Sequence, residues 1–222
     1  MNQLLLGIGL RDSATFDNFF PARNSPVVAA LCQADEPFVY LWGSSGSGKS
    51  HLLQALCQQL AEQGQTVAYL PLAEAGMVPQ MLEGMENMSL LAIDDLDSVA
   101  GNADWETALF HLYNRMRDAG ARLLVAAHVS PAALPIQLRD LASRLSYGLT
   151  LHLQDLSDED KRQLLQLRAD NRGFELPDEV ANYLLKRCER DMESLITLLD
   201  RLDVATLQAQ RKLTIPFVKS LL

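Results

Sequence analysis

Residues 43–50 of the chain read Gly43-Ser44-Ser45-Gly46-Ser47-Gly48-Lys49-Ser50, which is a complete G-x-x-x-x-G-K-[ST] pattern. Its glycines permit backbone angles that turn successive N–H groups inward, where they can surround phosphate oxygens. Lys49 adds a positive charge for the outer phosphates, and the Ser50 hydroxyl is suited to ligate Mg²⁺. A helix that starts near Lys49 would add the partial positive charge of its N-terminus. The segment therefore predicts a nucleotide-binding loop, which we extend to His51.

The residues on either side of this loop distinguish it from a Gly/Ser linker that matches the pattern by chance. The apolar run Phe38–Trp42 directly precedes it. Apolar residues that share one helical face follow it, and Gly64 closes that helix: Leu52, Leu53, Leu56, Cys57 and Leu60. A buried strand, a phosphate loop and an amphipathic helix in this order are the context that the pattern requires.

Strand-like and helix-like segments alternate from about residue 38 to residue 153. A second helical stripe runs from Trp105 to Met116 and ends near Gly120. The strand-like runs are short, apolar and free of internal Gly or Pro, and they cover residues 38–42, 66–70, 90–93, 123–126 and 149–153. Such alternation predicts an α/β fold, a three-layer domain with a five-stranded parallel sheet.

The pattern changes after Leu153, where no strand-like run follows. Ser157 and the three acids behind it predict a helix N-terminus, and Gly173 predicts the end of that helix. Pro177 opens a second helix, apolar residues from Met192 onward give a third, and residues 214–216 start a short fourth. We predict three parts: a flexible peptide at 1–12, the α/β domain at 13–155 and a small all-helical lid at 156–222.

Two acidic residues, Asp94 and Asp95, end the third apolar run. A strand end beside a phosphate loop can place a carboxylate next to Mg²⁺, and we assign this role to Asp94. Asp95 is then placed to orient or activate a water molecule. The alternative for both residues is a solvated turn after the strand.

The composition excludes several classes of protein. With 48% hydrophobic and 21% charged residues, the 222-residue chain is not a mainly disordered protein. Its formal net charge of −9 argues against non-specific DNA binding, which needs clustered cations. Its three widely spaced cysteines contain no C-x-x-C pair, which favours a reduced, cytoplasmic protein. No run reaches the roughly 18–20 apolar residues of a membrane span, so we expect no membrane association.

Together these segments resemble the AAA+ family, and within it the DnaA-like proteins of bacterial replication initiation. Thr15–Phe19 resembles the segment that precedes the sheet in this family, which implies that Phe19 helps enclose the base. Asp94-Asp95 resembles the DnaA form of the acidic strand end. The narrowest matches resemble a branch of DnaA-related regulatory inactivators, and they cover residues 157–161, 172–177 and 210–219.

The resemblance also implies a role for Arg144. Leu141–Leu145 is similar to the segment that carries an arginine finger, a residue that reaches the γ-phosphate of a neighbouring subunit in trans. The alternative is an exposed arginine paired with a nearby acid such as Asp140, an arrangement of little energetic weight.

The N-terminal segment resembles a peptide that docks on the replication sliding clamp. Gln3 would hydrogen-bond at the edge of the clamp pocket, while Leu4, Leu6 and Ile8 would enter apolar subsites. Gly7 stands where the family often has Pro, so ordering this peptide costs more. The alternative is an apolar chain terminus without a partner.

Two positions depart from the AAA+ pattern. Ala127 and His128 stand where many members place a polar sensor residue. Ala127 cannot serve, and the alternative for His128 is a surface histidine without this role. Glu193 stands where the lid of the family carries a sensor arginine, and Arg190 is a candidate substitute. An acid at Glu193 would repel the terminal phosphates, which favours bound ADP unless Glu193 points elsewhere. Both departures favour weak or no intrinsic ATPase activity.

The resemblance implies a regulator of DnaA rather than a second initiator. The expected cofactors are ADP (or ATP) and Mg²⁺. The expected partners are DnaA, the sliding clamp of DNA polymerase III and a second copy of the chain. The sequence ends at Leu222, directly after the helical region and without the helix-turn-helix domain of DnaA, so we expect no direct sequence-specific DNA binding. The alternatives are an autonomous AAA+ ATPase, such as a helicase-loading factor, and a P-loop kinase of small molecules.

Overall fold

Five strands lie where the sequence predicts them: β1 (Phe38–Trp42), β2 (Val67–Pro71), β3 (Leu90–Asp94), β4 (Arg122–Ala127) and β5 (Leu149–His152). All neighbouring strands pair in parallel, in the order β2-β3-β4-β1-β5. The computed structural model that shows this sheet describes residues 14–33, 36–188, 192–209 and 213–220. The predicted five-stranded parallel sheet is confirmed, and no strand end differs from its prediction by more than one residue.

Contacts within the chain define two compact units. The first ends at Leu153, and the second comprises Gln154–Leu222 together with Ser45–Ser47. Among the described residues, the α-helices of the first unit are α1 (Ser25–Gln33), α2 (Lys49–Glu62), α3 (Ala103–Ala119) and α4 (Arg139–Leu145).

Helices cover both faces of the sheet because side chains alternate across each strand. On one face, Leu41 of β1 packs in a buried cluster with Leu52 and Leu56 of α2. On the other face, Tyr40 packs in a second cluster with residues of α3 and α4, among them Leu112 and Leu141. The predicted three-layer α/β arrangement is therefore confirmed.

Glycines end two of these helices at the predicted positions. Gly64, with φ of +81°, follows α2, and Gly120, with φ of +67°, follows α3. After α2, the N–H of Gly64 donates to Ala61 O and the N–H of Gln65 donates to Leu60 O, at 2.9 and 3.0 Å. This pair of bonds satisfies carbonyl groups that the helix leaves without partners, and it needs a left-handed residue that glycine supplies without strain.

The described part of the second unit contains helices and no strand: α5 (Asp158–Asn171), α6 (Asp178–Arg187), α7 (Met192–Ala209) and α8 (Ile215–Lys219). Ser157 caps α5 as predicted, since its hydroxyl accepts from Asp160 N at 3.2 Å and the Asp160 carboxyl accepts from Ser157 N at 2.9 Å. Gly173 ends the same helix with φ of +84°. Leucines and valines on the inner faces of these helices are buried and form the core of the unit.

Helix α1 and the side-chain cap of helix α3 were not predicted. Of α1 only Leu31 is fully buried, while Val27 and Val28 pack partly buried against the same cluster. Asn102 caps α3 through its side chain, which accepts from the backbone N–H groups of Asp104 and Trp105. Among the described residues, no helix combines the length and the apolar character that a membrane crossing requires.

Candidate functional site

The loop Gly43–Ser50 connects the end of β1 to the first turn of α2. Gly46 and Gly48 both have positive φ, +73° and +99°. The Lys49 side chain is 4% exposed, and its Nζ donates to the carbonyl oxygens of Gly43 and Ser44, each at 2.8 Å. The loop therefore curls around the lysine ammonium group, while Ser50 is exposed at the start of the helix.

Gly48 is the point of closest approach between this loop and an aromatic ring. A Cβ atom at Gly48 would lie 2.7 Å from Cε2 of Phe19, so only glycine fits here without displacing the ring. The ring of Phe19 also contacts that of His51, with 5.3 Å between centroids. His51 Nε2 lies 2.8 Å from Thr15 O, which ties the segment before the sheet to the first turn of α2.

Asp94 is fully buried at the end of β3. Its carboxyl group accepts from the hydroxyl of Tyr69 at 2.8 Å and from Asp95 N at 3.0 Å. Burial, and next the charge of Asp94, raises the pKa of Tyr69. Tyr69 therefore holds the Asp94 side chain in one orientation, a role that the sequence did not reveal because a tyrosine in a strand is ordinary.

Asp95 adopts a left-handed conformation with φ of 55° directly after β3. Burial raises its pKa, and the charge of Asp94 raises it further, whereas His128 and Lys49 act in the opposite direction. These couplings place Asp94, Asp95, Lys49 and His128 in one electrostatic environment at the carboxyl ends of β1, β3 and β4. Neighbouring parallel strands end at the same edge of a sheet, which brings these residues together.

His128 pairs with Asp97 and is therefore not an isolated surface histidine. Its Nδ1 lies 2.7 Å from Asp97 Oδ2, and its backbone N–H donates to Asp97 Oδ1 at 2.9 Å. Burial opposes ionisation of Asp97, but the hydrogen bonds from His128 outweigh it and lower the pKa of Asp97. Ala127, the other residue at the sensor position, is buried and apolar.

These residues fit a phosphate chain and an associated cation. The loop offers a buried ammonium group, a glycine cradle and the Ser47 Oγ, which is buried without a hydrogen-bond partner among the described residues. In the described part of the chain, no three His, Cys, Asp or Glu side chains converge on a metal position. Ser50 and Asp94 would therefore hold Mg²⁺ only together with oxygens from a phosphate group.

Arg144 lies in the last turn of α4. Its Cζ is 5.6 Å from the centroid of the Tyr113 ring on α3, and the buried Leu141 and Leu145 fix the helix against the core. The predicted alternative, a pair with Asp140, is wrong: among the described residues Arg144 forms no ion pair. The guanidinium lies over an aromatic face, and no carboxylate among the described residues binds its planar set of N–H donors.

Several predicted site residues lie outside the described residues. They are the four residues of the clamp peptide and the candidate sensor arginine, namely Gln3, Leu4, Leu6, Ile8 and Arg190. Glu193 belongs to α7, but its side chain is also outside the described set.

Comparisons with known proteins agree with this architecture. The family model of the bacterial DnaA ATPase domain matches residues 10–152, and the model described as "Hda, lid domain" matches residues 158–222. Domain III of the replication initiation protein DnaA from Thermotoga maritima superposes with a TM-score of 0.79 at 20% identity, with 96% of each chain covered. At this identity the likeness shows the fold alone.

Two further solved structures are similar. AMPPCP-bound DnaA from Aquifex aeolicus has a TM-score of 0.69 at 25% identity, over 86% of this chain and 66% of that chain. The Holliday junction branch migration motor RuvB from Thermotoga maritima has a TM-score of 0.68 at 18% identity, over 93% of this chain and 70% of that chain. The chain thus belongs to the family of the bacterial DnaA ATPase domain, as an Hda-type, DnaA-related AAA+ protein.

Proposed function

We propose that this chain is a nucleotide-binding AAA+ regulator of replication initiation that docks on the sliding clamp and promotes hydrolysis of DnaA-bound ATP, which prevents re-initiation. The observation that carries the proposal is the combination of a DnaA-type ATPase domain with an Hda-type lid. A DnaA-type domain is suited to pack against a DnaA subunit because AAA+ proteins commonly share sites between neighbours. The proposed parts are the clamp peptide at 1–12, the nucleotide-binding domain at 13–155 and the lid at 156–222.

Arg144 is the residue that we propose to act on DnaA. Its position between β4 and β5 and its contact with Tyr113 support a guanidinium that is held in place without a carboxylate partner among the described residues. A guanidinium that reaches a neighbour's γ-phosphate neutralises the charge that develops in the transition state, which accelerates hydrolysis by about 10³–10⁵-fold. Its planar fork can engage two phosphate oxygens at once.

The chain's own nucleotide site is proposed to bind ADP or ATP with Mg²⁺. The loop backbone and Lys49 would bind the phosphates, and Ser50 with Asp94 would hold the cation. Phe19 and His51 contact each other beside the loop and are suited to flank a base. Arg190 is the lid residue that we propose to take part in nucleotide binding. The AMPPCP bound to the Aquifex DnaA supports an adenine nucleotide.

The test is hydrolysis of ATP pre-bound to DnaA, measured with this protein, clamp loaded on DNA, and reactions that omit each component. We expect acceleration only in the complete mixture. Deletion of residues 1–8 should abolish both clamp binding and stimulation, while nucleotide binding persists because the phosphate loop is untouched. Stimulation that survives the omission of the clamp would contradict clamp docking, and no stimulation in the complete mixture would contradict the function.

One observation favours an alternative, an autonomous ATPase. Asp95 directly follows Asp94, and the pKa of Asp95 is raised. A carboxylate with a raised pKa is a stronger base toward an attacking water molecule. Turnover by the purified protein without partners distinguishes the two functions. Steady hydrolysis that Asp95→Asn abolishes would favour the alternative, with Asp95 as its catalytic base.

A further inference from the structure

Glu106 is a buried acid on α3, 1% exposed, that the nucleotide site does not use. Its two carboxyl oxygens accept from three backbone N–H groups. Oε1 accepts from Gly101 N at 2.8 Å and from Gln137 N at 3.1 Å, and Oε2 accepts from Gln137 N at 3.0 Å and Leu138 N at 2.7 Å. One side chain therefore ties the turn before α3 to the loop before α4.

These bonds fall at the start of α4. Leu138 is the N-cap residue of this helix and has no side-chain cap of its own, and the helix is only seven residues long. Glu106 binds the backbone N–H of this N-cap residue from a distance of 32 residues in sequence. The Gln137 side chain reinforces the link, since its Nε2 donates to Gly101 O at 3.3 Å.

A second contact joins the same two helices at the other end of α4. Tyr113 lies two helical turns beyond Glu106 on α3, on the same face, and its ring lies under the guanidinium of Arg144. Helix α3 thus holds α4 at its first residues through the Glu106 carboxyl group and at its last turn through the Tyr113 ring. The buried Leu141 between these points completes the attachment.

We propose that Glu106 is a positioning residue for Arg144: by binding the N-terminal end of α4, it fixes the direction in which Arg144 is presented to a neighbouring subunit. This inference rests on the proposed role of Arg144. The chemistry requires an acid, because only a carboxylate offers two acceptor oxygens and no donor to three converging N–H groups. A glutamine would turn its amide N–H₂ toward one of them and leave that backbone group unpaired.

The test compares Glu106→Gln with Asn102→Ala in DnaA-bound ATP hydrolysis with loaded clamp. Asn102 caps the same end of α3 but does not bind the loop before α4, so its variant controls for general loosening of the helix. We expect Glu106→Gln to lower the stimulated rate at saturating DnaA at least tenfold with little change in half-saturation. Asn102→Ala should remain within about twofold of wild type.

An independent readout is the NMR signal of the Arg144 Nε–H group, assigned with Arg144→Ala. Because the guanidinium lies over the Tyr113 ring, we expect a ring-current shift of this signal. We expect the shift to be lost in Glu106→Gln and kept in Asn102→Ala. If Arg144→Ala itself leaves stimulation intact, the finger role belongs to another residue, whereas the NMR comparison still tests the positioning of Arg144.

A second variant guards against loss of folding. Glu106→Asp keeps the charge but shortens the reach by about 1.5 Å, one carbon–carbon bond. It should give an intermediate loss of both the ring-current shift and the stimulated rate. If any folded Glu106 variant shows both the wild-type ring-current shift and the wild-type stimulated rate, the inference is overturned.

Discussion

The phosphate loop and helix α4 carry their chemistry in opposite ways. In the loop, consecutive residues from Gly43 to Ser50 supply everything: backbone N–H groups, left-handed glycines and the buried Lys49. On α4, a single side chain, that of Arg144, carries the proposed chemistry, and its support comes from Glu106 and Tyr113 on another helix.

The difference shows which kinds of substitution disrupt each site. A site built from adjacent backbone groups forms as soon as its strand and helix form, and it changes only when the local backbone changes. A site built from one side chain depends on contacts that lie far away in the sequence, so substitutions at a distance can misplace it.

Arg144→Ala should produce the largest effect because one side chain carries the function of α4. We expect the stimulated hydrolysis of DnaA-bound ATP to fall on the order of 10³-fold. The protein should still fold and bind nucleotide, since the cation–π contact is worth only about 0.5–1 kcal/mol. Arg144→Lys should fail as well because an ammonium group lacks the planar fork.

The matched control for Arg144 is Arg139→Ala, in the first turn of the same helix, which should stimulate like wild type. A stimulated rate for Arg144→Ala equal to that of the control would assign the finger role to another residue. Loss of folding in Arg144→Ala alone would show that this arginine is structural.

Lys49→Ala tests the charge of the loop. Removal of the ammonium group should lower nucleotide affinity at least tenfold, about 1.4 kcal/mol, by calorimetry. It should also reduce the gain in melting temperature that nucleotide provides, because that gain follows from binding. Lys186→Ala, at an exposed position of α6, is the control. Equal affinities of Lys49→Ala and wild type would remove the phosphate-loop assignment.

Gly48→Ala tests the backbone of the loop against Gly76→Ala. Both glycines have similar positive φ, +99° and +89°, but a Cβ at Gly76 meets no atom within 4 Å, whereas at Gly48 it meets Phe19. Each substitution should cost about 1–3 kcal/mol of unfolding free energy through backbone strain. Only Gly48→Ala should also lower nucleotide affinity. Similar affinities of the two variants would show that the approach of Phe19 is unimportant.

Asp95→Asn and Asp97→Asn should shift stability in opposite directions, measured as melting temperature without nucleotide. The folded-state pKa of Asp95 is raised above its ordinary value of 3.8, so its ionisation destabilises the fold. This cost is absent at low pH and develops as the pH rises through the unfolded and folded pKa values. Asp95→Asn should therefore raise the melting temperature at pH 7, and asparagine tolerates the left-handed backbone.

The pKa of Asp97 is lowered, so its ionised form stabilises the fold above pH 3.8 and that stabilisation is lost as the pH falls. Asp97→Asn should lower the melting temperature at pH 7, and both differences should vanish in acid. Shifts of the same sign for the two variants would contradict the assigned electrostatics.

Features that depend on residues close together in the sequence were predictable from it. The five strands, the phosphate loop and the helix ends at Gly64, Gly120 and Gly173 all follow from local pattern. Helix α1 was missed because its apolar residues form one continuous run, residues 27–32, which periodicity alone does not identify as a helix. The pairing of Arg144 with Asp140 was predicted as an alternative from proximity in sequence, and it is wrong because the packing of α4 turns the guanidinium toward Tyr113 instead.

The α/β fold and the edge of the sheet where Lys49, Asp94 and Asp95 meet follow from local sequence pattern, because parallel strands place their carboxyl ends together whatever their order. Which side chains hold these groups in place depends on how the elements pack. Tyr69 binds Asp94 across 25 residues, His128 binds Asp97 across 31, and Glu106 binds Leu138 across 32. Hydrogen bonds of this kind have no periodicity along the chain, since each depends on the register of two elements that meet only after packing.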